Sequence, residues 1–254
     1  MNKRTRSVLR GLGLAAAAGM LWTTSVGAAA GHYRGDLPVF GPGDSYHPVI
    51  EPADFSPNIT NKWFPLKPGT TLIYEGTKDG LPARNVFHIT SRTKVVDGVL
   101  CRVIFDRLFL DGKLAERTYD YYAQDDDGNV WYFGEDTVSL DDQGLLTDTS
   151  GSFLAGVNGA QPGVFMEAHP ELGRWFRQEW AEGEAEDAFR VVDRSTTVRV
   201  PFGTFRHAMR TEEQTALEPD VVDNKYWVRG IGAVEEVSVA GPLEKLVLVS
   251  ASIP

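Results

Sequence analysis

The chain has a single cysteine, Cys101, among 254 residues. No intramolecular disulfide can form, and a chain of this length builds a sufficient core without one. Cys101 lies inside the apolar run VLCRVIF, where a free cysteine reads as a small buried side chain rather than a reactive thiol. Histidine is scarce too. His32, His47, His88, His169 and His207 make no H-x-H, H-x₃-H or H-E-x-x-H spacing, so the usual zinc arrangements are absent and no metal site is assigned. There is no G-x-S-x-G elbow, no phosphate-binding loop and no G-x-G-x-x-G following a strand. These gaps remove the common serine hydrolases and nucleotide enzymes and leave no cofactor motif. Helix-period segments are nearly missing as well.

Positive charge is the next shortage. The formal net charge is −10. Four of the 25 basic residues, Lys3, Arg4, Arg6 and Arg10, lie in the first ten positions, ahead of the apolar run Leu12–Val26 and the small residues Gly27–Ala30. This is the pattern of a secretory signal over residues 1–30, too short and too interrupted by Thr and Ser for a membrane span. Its removal would leave 21 basic against 35 acidic residues, a formal charge of −14. Such a balance argues against nucleic acid, which needs clustered Lys and Arg, and suits a soluble extracytoplasmic protein. No second long apolar run follows, so no transmembrane segment is expected in the mature chain.

What is present is β-type. After an extended, irregular lead-in over 31–62, short strand-like runs alternate with turn signals, among them KDGLP, Asp97–Gly98, Asp111–Gly112 and the DDDG at 125–128. Roughly twelve to fourteen strands at a spacing of 8–12 residues predict one all-β domain over 63–254, a curved antiparallel sheet, incomplete barrel or sandwich. The stretch Gly151–Gly173 reads as a long connection. Alternation puts Trp131, Phe133 and Glu135 on one face of NVWYFGED, with Val130, Tyr132 and Gly134 on the other. In ERTYDYYAQ it sets Arg117, Tyr119 and Tyr121 against Thr118, Asp120 and Tyr122.

Several stretches together carry a resemblance: YHPVIEPADFSPNITNKWFPLKPGTTLIYEG, DYYAQDDDGNVWYFGED, RQEWAEGEAED, and VPFGTF with KYWVRGIGAVEEV. The mature chain resembles a family of secreted bacterial proteins of unknown function. More loosely, it resembles periplasmic and lipoprotein-type β domains built on a curved sheet or incomplete barrel. The resemblance implies a fold and a location and transfers no reaction.

Two constellations invite chemistry. RQEWAEGEAED holds five carboxylates in eleven residues. Glu184 and Glu186 share strand parity, with Glu179 and Asp187 on the other. Arg177, Glu179, Glu184 and Glu186, with His169 from the long connection, form a candidate acid–base set. The bland alternative is the solvated tip of a hairpin. DDDGN offers a D-x-D-x-N start, but Val130 stands where a calcium loop needs glycine and Glu135 falls one position short of its closing glutamate, so a turn is the better reading. Separately, Tyr119, Tyr121, Trp131, Phe133, Trp175 and Trp227 are candidates to line a pocket. Three functions stay open: a secreted protein binding a hydrophobic small molecule, lipid or envelope polymer fragment; a barrel-type hydrolase, lyase or isomerase; and a structural envelope protein without a small ligand.

Overall fold

The computed structural model describes residues 46–254. The expected signal, and the lead-in as far as residue 45, lie outside the described residues. A single 3₁₀ turn, Pro52–Asp54, precedes sixteen strands: β1 (Phe55–Ser56), β2 (Thr71–Lys78), β3 (Leu81–Val96), β4 (Val99–Leu110), β5 (Lys113–Asp125), β6 (Val130–Leu140), β7 (Leu146–Asp148), β8 (Phe153–Leu154), β9 (Gln161–Met166), β10 (Trp175–Arg177), β11 (Glu179–Trp180), β12 (Asp187–Val200), β13 (Gly203–Thr215), β14 (Val222–Val228), β15 (Gly232–Ala240) and β16 (Glu244–Ser252). No helix among the described residues is long and apolar enough to cross a membrane.

The Asp-Gly pairs make the turns that their chemistry favours. Asp79–Gly80, Asp97–Gly98 and Asp111–Gly112 all have positive φ at both residues and close the β2–β3, β3–β4 and β4–β5 hairpins. Two-residue turns of that hand match the right-handed twist of the strands they join. Thirteen strands then form one antiparallel sheet in the order β10, β12, β13, β14, β15, β16, β2, β3, β4, β5, β6, β9, β11. The sheet curls until its ends meet, a nearly closed barrel.

The seam is made by the chain itself. β10 pairs with β12 and β11 pairs with β9, and Gln178 stands between them, its N–H donating to the Asp187 carbonyl at 2.9 Å. A Cβ at Gly163 would lie 2.3 Å from the Gln178 carbonyl carbon, so only glycine lets β9 approach this closely. The acidic stretch is therefore where the barrel closes, and its solvated tip is confined to Glu182–Glu184.

Both faces of β4, β5 and β6 are covered. Inside the barrel, Phe64 enters from the segment before β2 and contacts Phe87, Tyr122, Phe165 and Trp227 with centroids 4.7–6.2 Å apart. Asn61 holds that segment in place. Its Oδ1 accepts from the N–H groups of Trp63 and Phe64, and its Nδ2 donates to the carbonyls of Gly128 and Glu167. Outside the barrel, a second apolar cluster gathers Val99, Cys101, Val103, Tyr121 and Phe133, capped by Ile50 and Phe55 of the lead-in. Phe55 packs edge-on against Trp131 and Phe133. Cys101 is fully buried there, and burial pushes its thiol far above the usual range.

Candidate functional site

The six candidate aromatics lie in three different places. Tyr119, Tyr121, Trp131 and Phe133 belong to the outer cluster beneath the lead-in. Trp227 is in the inner core, its indole N–H donating to Thr211 Oγ1 at 2.9 Å. Trp175 lies under the Arg190 guanidinium, 5.0 Å from ring centroid to Cζ. They do not converge on one pocket.

The candidate charged residues also part company. Arg177 is buried between the rings of Tyr46 and Trp180, at 4.7 and 5.1 Å. Glu179 and Glu186 are buried, and Glu186 Oε1 accepts from the Gly183 N–H at 2.8 Å, closing the tip of the turn. Glu184 is exposed. The shared face expected of Glu184 and Glu186 is lost because the strand ends at Trp180 and a turn intervenes. His169 lines a separate hollow of about 220 Å³ with Trp63, Gln124 and Arg229. In the DDDGN turn, Asp125 accepts hydrogen bonds from the Asn129 N–H, the Asn129 amide and the Trp131 indole, so its carboxylate is used in shaping the turn. No group of His, Cys, Asp or Glu among the described residues is arranged to hold a metal ion.

The unusual chemistry is inside, on β5 and β6. Asp120 and Glu135 face each other directly across the two strands. Carboxylates so placed repel. Tyr132 lies between them, its hydroxyl 2.9 Å from Asp120 Oδ1 and 2.9 Å from Glu135 Oε2. A phenol has one proton to give. It donates to one carboxyl and accepts from the other, which must then carry a proton of its own.

The surroundings agree with that count. Both acids are at most 1% exposed. Burial first, then the charge of Asp106, raises Asp120 well above the ordinary carboxyl range. Burial, then Asp120 and Glu179, does the same to Glu135. Asp120 Oδ2 and Glu135 Oε1 have no hydrogen-bond partner among the described residues. Behind the pair, Tyr122 stacks on Tyr132 with centroids 4.7 Å apart.

Alternation placed Glu135 with Trp131 and Phe133, away from Tyr132, and the structure corrects this. Tyr121 pairs with Gly134 and Tyr122 with Tyr132, so Phe133 is an extra residue on β6, a bulge that reverses the parity beyond it. Gly134 makes the bulge possible. Its φ is 139°, and a Cβ there would sit 2.3 Å from the Phe153 carbonyl oxygen. A glycine inside an aromatic strand was the available signal, and the acid in YDYY the second.

Glu135 also lines a cleft of about 470 Å³. Phe153, Leu154, Val157, Ala160 and Ala181 supply its apolar wall, and Lys94, Asp136, Glu182 and Glu184 its charged rim. A second buried network on the far wall of the barrel is better compensated. The Lys225 ammonium lies 2.6 Å from Glu213 and 3.8 Å from Glu236. Burial pushes Glu236 up to about 8, with Lys225 opposing it.

No family model matches the chain, and no curated protein does. Among solved structures, the chain is similar to a protein from Bacteroides fragilis described as exported, with a YmcC-like fold. The two share 14% identity, over 76% of this chain and all of the other, with a TM-score of 0.46. It is also similar to a protein from Parabacteroides distasonis described as a lipoprotein, at 8% identity over 76% of this chain and 99% of the other, with a TM-score of 0.41.

Proposed function

We propose that this is an exported binding protein that seats a small amphipathic molecule in the cleft beside β6. The observation that carries the reading is a cleft of about 470 Å³ with an apolar wall and the buried acid Glu135 among its lining residues. That volume falls in the range of small-molecule sites, which combine apolar walls with a few placed polar groups. Enzymatic use of the carboxyls has less support. Ser152, the hydroxyl in the lining, is taken up by the Thr137 backbone, accepting from its N–H and donating to its carbonyl. That hydroxyl is therefore not placed to act as a nucleophile. The export signal read over residues 1–30 supports a place outside the cytoplasm.

The test is calorimetric titration of the protein with ten-carbon amphiphiles below their micellar range. Val157→Trp should abolish the binding while leaving stability unchanged, because Val157 is 50% exposed at the cleft wall and a bulky ring there fills the space. If no such molecule binds, or if the variant binds as the parent does, the reading is wrong.

A further inference from the structure

We propose that the cleft selects a cationic headgroup, an ammonium or amidinium, and takes it up in exchange for the proton held between Asp120 and Glu135. This rests on the binding reading above and names its ligand class.

The charges in the lining are one-sided. Glu135, Asp136, Glu182 and Glu184 oppose Lys94 alone, and the Lys94 ammonium sits over the Tyr121 ring at 4.1 Å. An anionic head would meet four carboxyls. A neutral head would leave the buried pair as it is. A cation supplies what the pair lacks, since Glu135 Oε1 is buried with no donor among the described residues. A metal ion fits less well, because no metal-ligating group of side chains is present among the described residues.

The proton follows from the geometry of Tyr132. With one hydroxyl hydrogen between two carboxyls at 2.9 Å each, one acid is neutral in the empty site. The groups acting on Glu135 are Asp120, Glu116, Tyr132 and Glu179, with Asp106 acting on Asp120. All but the phenol are acids, so the groups named add negative charge to the pair. An arriving ammonium offsets that charge. Asp120 and Glu135 are then both ionised, and the displaced proton passes to solvent. Lys225, a buried cation on the opposite wall, is held by Glu213 and Glu236.

Decylammonium, decanol and decanoate share a tail and differ in the head, which makes them the probes. Titration at pH 7 in two buffers of different ionisation enthalpy reads affinity and proton release together. The expected result is decylammonium tighter than either partner by roughly tenfold or more, the scale of a charge-assisted hydrogen bond, with release of about one proton per ligand bound. Affinity for decylammonium should rise from pH 6 to pH 8, where the amine keeps its charge. Glu135→Gln should lose the preference and the proton release but still bind decanol. Asp120→Asn should keep the preference and lose the release. Decanol or decanoate binding as tightly as decylammonium overturns the selectivity, and cation binding without proton release overturns the exchange. If none of the three binds, the binding reading itself fails.

Discussion

The two faces of β4, β5 and β6 are both buried, and they differ in what they tolerate. The outer face is dry and apolar: Val103, Tyr121 and Phe133 lie beneath Ile50 and Phe55 of the lead-in. The inner face mixes aromatic rings with acids: Asp120 lies two residues before Tyr122, and Glu135 three residues beyond Tyr132, in the stacked pair. An apolar cluster under a strap needs only complementary shape. The inner face keeps buried carboxyls that desolvation makes costly, and it does so by holding a proton. A feature that weakens the fold in that way is better explained by a task than by packing.

The comparison breaks most visibly at Phe64, the ring that joins the inner aromatics. Phe64→Ala should cost about 4–5 kcal/mol, the upper part of the range for a buried phenylalanine, measured by urea unfolding. Phe133→Ala on the outer face, also fully buried, should cost about 3 kcal/mol. It should leave the pH dependence of stability untouched. A Phe133 variant with altered pH dependence would show that the two faces are coupled.

The pH dependence itself belongs to the inner face. Asp120 and Glu135 are raised in the folded state, and Glu236 is raised to about 8. Above about pH 4–5 the unfolded chain has given up protons that the folded one keeps. The folded state binds more protons, so its stability is greatest in acid and falls as pH rises through the folded values. The unfolding temperature should therefore decline between about pH 5 and pH 9. Asp120→Asn should flatten that decline, and it should gain on the parent as pH increases. A parent protein equally stable across the range would contradict the buried neutral acid. The smallest effect is expected at Glu184→Gln. That side chain is exposed at the cleft rim, and its loss should change stability by less than about 0.5 kcal/mol.

The fold class was legible because its signals are local. Each Asp-Gly pair needs only its own positive φ to make a hairpin, and an all-β architecture follows from many such turns. The candidate site was legible only in pieces. Glu184 lies in the lining of the cleft, and Glu179 is buried and acts on Glu135 through its charge. Alternation sets faces for Asp120 and Tyr132 but no role, and it puts Glu135 on the wrong face, because one bulge at Phe133 reverses the parity beyond it.

From its sequence alone, this protein is an all-β, acidic chain with a single cysteine and so no intramolecular disulfide. Those properties depend on composition, on alternation and on turns of two residues. Tertiary structure decided that RQEWAEGEAED closes a barrel and that only its tip at Glu182–Glu184 is solvated, because β9 reaches Gln178 only through Gly163. It also decided that Asp120 and Glu135 both come within hydrogen-bond distance of the Tyr132 hydroxyl, since that requires two strands in one register and a bulge, neither of which any single stretch contains.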